Sequence, residues 1–101
     1  MNVLDRIEID EAQLADICRR YHVRELALFG SVLRDDFRDD SDVDVLVEFE
    51  PDARIGFIGY LDLQEELAGL LGRSVDLISK DGMRPRFAAR VLPQLRVIYA
   101  A

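Results

Sequence analysis

Two short apolar runs, joined by a Gly-Ser turn and a pair of aspartates, constrain this chain more than any other feature. Leu26-Ala27-Leu28-Phe29 has the length of a buried strand and stops at Gly30-Ser31. After ten intervening residues, Asp42-Val43-Asp44 opens a second run, Val45-Leu46-Val47. Side chains alternate faces along a strand, so Asp42 and Asp44 share one face and Val43 takes the other. Adjacent carboxylates repel unless positive charge lies between them. A hard divalent cation such as Mg²⁺ suits oxygen donors, and a nucleotide's phosphates can complete its shell. Gly30 lets the backbone approach closely, and Ser31 adds a hydroxyl and an N–H at the same turn, the parts of an anion cradle.

The spacing of G-S, ten residues and D-x-D resembles the signature of the nucleotidyltransferase superfamily related to DNA polymerase beta. The fuller string GSVLRDDFRDDSDVDVLVEF is similar to its minimal members, which are encoded beside HEPN-domain partners. The resemblance runs from about Leu26 through Ser79. It implies a nucleotidyltransferase fold of the α/β (α+β) class: a small mixed sheet of three to four strands, with helices packed on one side. It implies that Asp42 and Asp44 hold two Mg²⁺ ions, with Mn²⁺ as a substitute, and the phosphates of ATP. Gly30 and Ser31 would bind the β- and γ-phosphates. An arginine commonly follows G-S in the family; Arg34 takes that place and either reaches the triphosphate or pairs with a neighbouring aspartate. Asp35 is a departure, since many relatives have glycine there.

The rest of the chain supplies the frame. Asp10 is a cap for a helix running to about Tyr21. Cys18 on that helix reads as a core residue, and the lone His22 just after it as a surface or capping group. A strand over about Glu25–Phe29 precedes the turn, and Val43–Glu48 follows the acidic connector. Between about Gly56 and Leu71, Phe57, Tyr60, Leu63, Leu67 and Leu70-Leu71 recur at three- and four-residue spacing, a helix ended by Gly72. Ser74–Ser79 is a third strand, interrupted by Asp76. A carboxylate in a core costs several kcal/mol unless it is paired or ligates a metal. On an edge strand the same residue would face water. By resemblance, Asp76 is the third carboxylate and ligates the ion beside the acceptor hydroxyl. KDGMRPR is a basic loop, Phe87 to about Leu92 a short helix, and Leu95–Tyr99 a last strand.

Composition narrows the function. The 101 residues read as a single minimal domain, residues 1–101, with 20 acidic against 13 basic side chains and a net charge of −7. That balance argues against direct binding to DNA, which needs a basic surface. One cysteine leaves no disulfide or zinc cluster, and no apolar run spans a membrane, so a cytoplasmic setting is expected. Larger relatives carry a second domain for the acceptor, which these residues do not encode. A partner protein or a second copy of the chain is the expected source of that wall. In the resembling minimal members the partner is a HEPN-type RNase toxin, and the small protein neutralises it by transferring AMP to a tyrosine. The alternative class is a non-catalytic antitoxin or nucleotide-binding module.

Overall fold

The computed structural model of the protein describes residues 9–33 and 42–101. Arg34 and the acidic connector that follows it lie outside the described residues. Helix α1 (Glu11–Arg20) starts where expected, because the Asp10 carboxylate accepts from the N–H groups of Ala12 and Gln13 at 3.0 and 3.1 Å. It ends at Tyr21, and His22 turns the chain with a φ of 56°. Strand β1 (Val23–Phe29) begins two residues before the expected Glu25, across a register irregularity between Val23 and Glu25. A 3₁₀ turn, Gly30–Leu33, leaves it.

Strand β2 (Val43–Phe49) runs antiparallel to β1. Helix α2 (Phe57–Leu71) then crosses over to β3 (Val75–Ser79), which lies parallel to β2. Gly72 closes α2 in the left-handed conformation, φ 68°, with its N–H on the Ala68 carbonyl. Helix α3 (Pro85–Val91) starts two residues before the expected Phe87. Proline suits the first turn of a helix, where its missing N–H would have no partner anyway. Strand β4 (Arg96–Ala100) pairs with the free side of β1, giving the sheet order β3-β2-β1-β4.

The core sits under one face of this sheet. Leu14, Ile17 and Cys18 of α1 and Leu63, Leu67 and Leu71 of α2 pack on Leu26, Leu28, Val43, Val45, Val47 and Leu77. Burial pushes the Cys18 thiol up to about 12, so it is an inert apolar group, as its helical position suggests. Arg20 clamps the two helices by donating to both oxygens of Glu66, at 3.1 and 2.8 Å, while the Tyr21 hydroxyl donates to the same carboxylate. That clamp holds the Glu66 carboxyl below its usual range, the Arg20 hydrogen bond being the larger cause.

A smaller cluster lies on the opposite face. There α3 places Phe87 and Val91 against Phe29 and Leu46, with the Phe29 and Phe87 rings edge to face at 6.1 Å. α1 and α2 thus cover one side as expected, and the short α3 adds a wall to the other.

Candidate active site

Gly30 and Asp44 define the centre. Gly30 sits at the end of β1 with φ +78°, a left-handed backbone that L side chains rarely adopt. A Cβ built there would stand 2.1 Å from Asp44 Oδ2 and 3.0 Å from its Cγ. The missing side chain is therefore the space into which the Asp44 carboxylate folds. The turn and the carboxylate make one cradle.

Register then brings in the other strands. Asp44 pairs with Phe29 across the antiparallel ladder and with Asp76 across the parallel one. Directly opposed side chains project to the same face, so Phe29, Asp44 and Asp76 form a row across three strands. It is the face carrying Leu46 and α3, opposite the main core. Asp76 is exposed, because β3 is an edge strand. The water-facing reading of its apolar run is the one the fold adopts, yet the register still puts it beside Asp44. Asp42 stands exposed one residue before β2, where the Val43 N–H donates to the Ser74 carbonyl at 2.9 Å. The backbone of Ser31 lies in the turn after Gly30. Among the described residues, no three side chains of Asp, Glu, His or Cys converge as a ready-made metal site.

Sequence reasoning missed the support of β3. The Leu77 N–H donates to Gln64 Oε1 at 3.1 Å, and the Leu77 carbonyl accepts from the Tyr60 hydroxyl at 2.5 Å. Tyr60 and Gln64 are one turn apart on α2 and together satisfy the backbone of the residue next to Asp76. The signal was present as a polar pair, four residues apart, in a mostly apolar helix, but spacing alone does not say what such a pair touches. Burial first, and the Asp76 charge second, raise the Tyr60 phenol above its ordinary value of 10.0. Its contribution to stability is therefore intact below pH 10 and declines as pH rises through the folded-state value. Tyr60→Phe and Gln64→Leu are each expected to cost about 1 kcal/mol. For a domain of this size that is roughly 4–8 °C of melting temperature. Faster hydrogen exchange at the Leu77 amide in Gln64→Leu would check the contact; an unchanged rate would dismiss it.

Two cavities among the described residues bear on where the site lies. A groove of about 540 Å³ lies between α1 and α2, lined by Asp16, Arg20 and Glu66, but those helices cover the opposite face of the sheet. The pocket that touches the centre is about 220 Å³, bounded by Gly30, Asp44, Phe87, Arg90 and Gln94. We place the site in the smaller one, because it alone of the two contains the glycine cradle and a carboxylate of the row. No helix among the described residues is long and apolar enough to cross a membrane.

Residues 11–98 match the model of the nucleotidyltransferase domain. The protein adenylyltransferase MntA of Thermococcus cleftensis is 38% identical over 96 residues, covering 94% of this chain and 95% of that one. A solved structure of a candidate minimal nucleotidyltransferase is 35% identical, with a TM-score of 0.70 over 85% of this chain and 86% of the other. A toxin–antitoxin crystal structure with AMP-PNP shares the fold, with a TM-score of 0.72 at 21% identity over 92% of this chain and 75% of that one. A glycine turn abutting the first strand's partner carboxylate, a parallel strand bringing a second carboxylate beside it, and these matches lead to one conclusion: the chain belongs to the nucleotidyltransferase domain family and is a nucleotidyltransferase of its minimal, MNT type.

Proposed function

We propose that this nucleotidyltransferase transfers AMP from ATP to a tyrosine hydroxyl of a HEPN-type RNase toxin, and thereby acts as its antitoxin. The observation that carries the proposal is the Gly30–Asp44–Asp76 arrangement in a chain 38% identical to a protein adenylyltransferase along nearly its whole length. Another fold relative, at 20% identity and a TM-score of 0.64 over 90% of this chain and 70% of that one, is an MNT antitoxin solved with a tri-AMPylated HEPN toxin of Shewanella oneidensis.

Asp42, Asp44 and Asp76 supply only oxygen donors, which fits Mg²⁺ or Mn²⁺, and two such ions would share the three carboxylates with phosphate oxygens. Bound there, divalent metal would offset charge on the phosphates and favour ionisation of the acceptor hydroxyl. The chain's own contribution is positioning. Gly30 and Ser31 would seat the β- and γ-phosphates, with Arg34 beside them, and Asp76 would face the acceptor from the open edge of the sheet. The acceptor oxygen would bond to the α-phosphorus, the bond from that phosphorus to the bridging oxygen would break, pyrophosphate would leave, and the hydroxyl proton would pass to solvent. A tyrosine hydroxyl has an unperturbed pKa of about 10, so it needs such activation.

Intact-mass measurement of a co-expressed cognate toxin is expected to show one or more AMP units, absent when Asp42 and Asp44 are both Asn. The alternative outcome is neutralisation by complex formation alone. It requires that the double variant protect cells equally well with no mass change on the toxin.

A further inference from the structure

The charge of this chain is unevenly distributed. Residues 80–101 hold five of its 13 basic side chains and one of its 20 acidic ones. That segment includes α3, which the Phe29–Phe87 contact anchors on the carboxylate-bearing face. Lys80 is already engaged, 3.7 Å from Glu48. Arg90 is exposed, makes no ion pair with any described residue, and lines the pocket with Gly30 and Asp44. A triphosphate brought against three carboxylates adds several negative charges to a site that is already acidic. Metal offsets part of that charge, and a guanidinium on the facing wall would offset more while gripping two phosphate oxygens at once.

We propose that Arg90 receives the nucleotide's polyphosphate in the pocket beside Gly30. This assigns the nucleotide to the α3 side of Asp44 and leaves the acceptor the Asp76 side, at the open β3 edge. The inference rests on the ATP-dependent reading above and adds a residue that neither G-S nor D-x-D includes. Helices also favour an arginine in the last turn for the sake of their own dipole, and that role would not move ligand affinity.

Calorimetry with the full chain and Mg²⁺ separates the two, using α,β-methylene-ATP, inorganic tripolyphosphate and adenosine as probes. Loss of a charge-assisted contact is expected to weaken the first two roughly ten- to a hundredfold in Arg90→Gln and to leave adenosine unchanged. Arg90→Lys should fall between, keeping the charge but not the fork. Arg86→Gln, the same charge change one turn earlier and outside the pocket lining, should bind as wild type does. Wild-type affinity for both polyphosphate probes in Arg90→Gln overturns the inference and leaves the ATP reading standing. So does an equal loss for adenosine, or an equal effect of Arg86→Gln. If Arg90→Gln does not fold, Arg90→Lys decides: tripolyphosphate affinity equal to wild type rejects the role. A wild-type protein that binds neither polyphosphate sinks both this inference and the reading beneath it.

Discussion

Gly30→Ala is expected to abolish nucleotidyl transfer and to destabilise the fold more than the same change at Gly72. Both glycines have positive φ, +78° and +68°, so alanine meets a left-handed backbone at each, costing roughly 1–2 kcal/mol. They differ in what surrounds them. Nothing lies within 4 Å of a Cβ at Gly72, whereas one at Gly30 would sit 2.1 Å from the Asp44 carboxylate. Gly72→Ala therefore isolates the backbone cost. Gly30→Ala adds expulsion of the Asp44 carboxylate from its seat. Thermal unfolding of the two variants, with transfer assayed on each, checks this. Equal losses of stability together with retained transfer in Gly30→Ala would mean that Asp44 does not work from that position.

The carboxylates themselves carry the second large effect. At a hundredfold excess over its dissociation constant, Mg-ATP is expected to stabilise the wild type by about 2.7 kcal/mol, an easily measured rise in melting temperature. Asp42→Asn and Asp44→Asn should each remove that rise, since each deletes a negative oxygen donor while keeping the side chain's shape. Asp76→Ala should keep most of it and lose transfer, if Asp76 serves the acceptor as proposed. Its exposure on an edge strand makes collapse of the fold an unexpected outcome. A normal Mg-ATP response in the Asp42/Asp44 double variant would dismiss the pair as the metal site. Normal turnover in Asp76→Ala would leave that residue as surface charge.

Much of this molecule was legible in one dimension, because local chemistry decided it. Asp10 announced the start of α1 through a side chain able to accept from the first free N–H groups. Gly72 announced the end of α2 through its tolerance of positive φ. Alternation placed Val43, Val45 and Val47 on one face of β2 and Asp44 on the other. Element ends were less legible where a neighbour extends them: Val23 joins β1 because Phe49 pairs with it, and Pro85 opens α3 although it reads as part of a loop. The motif spacing pointed to a cradle and a carboxylate pair, and so to the family.

Three things came only from the tertiary structure, each because it depends on residues distant in the chain. Asp76 is separated from Asp44 by a whole helix, and only the parallel register of β2 and β3 sets them side by side. The same placement puts β3 at the sheet edge, so Asp76 meets water rather than a core, a distinction that an apolar run of five residues cannot make. Gln64 and Tyr60 hold the backbone of Leu77 because α2 crosses that edge. Arg90 lines the same pocket as Gly30 because α3 folds back over the sheet through Phe87 and Val91. Periodicity and capping are set by neighbours a few residues away and can be read along the chain; the meeting of charges across strands follows from register and packing, which no local pattern encodes.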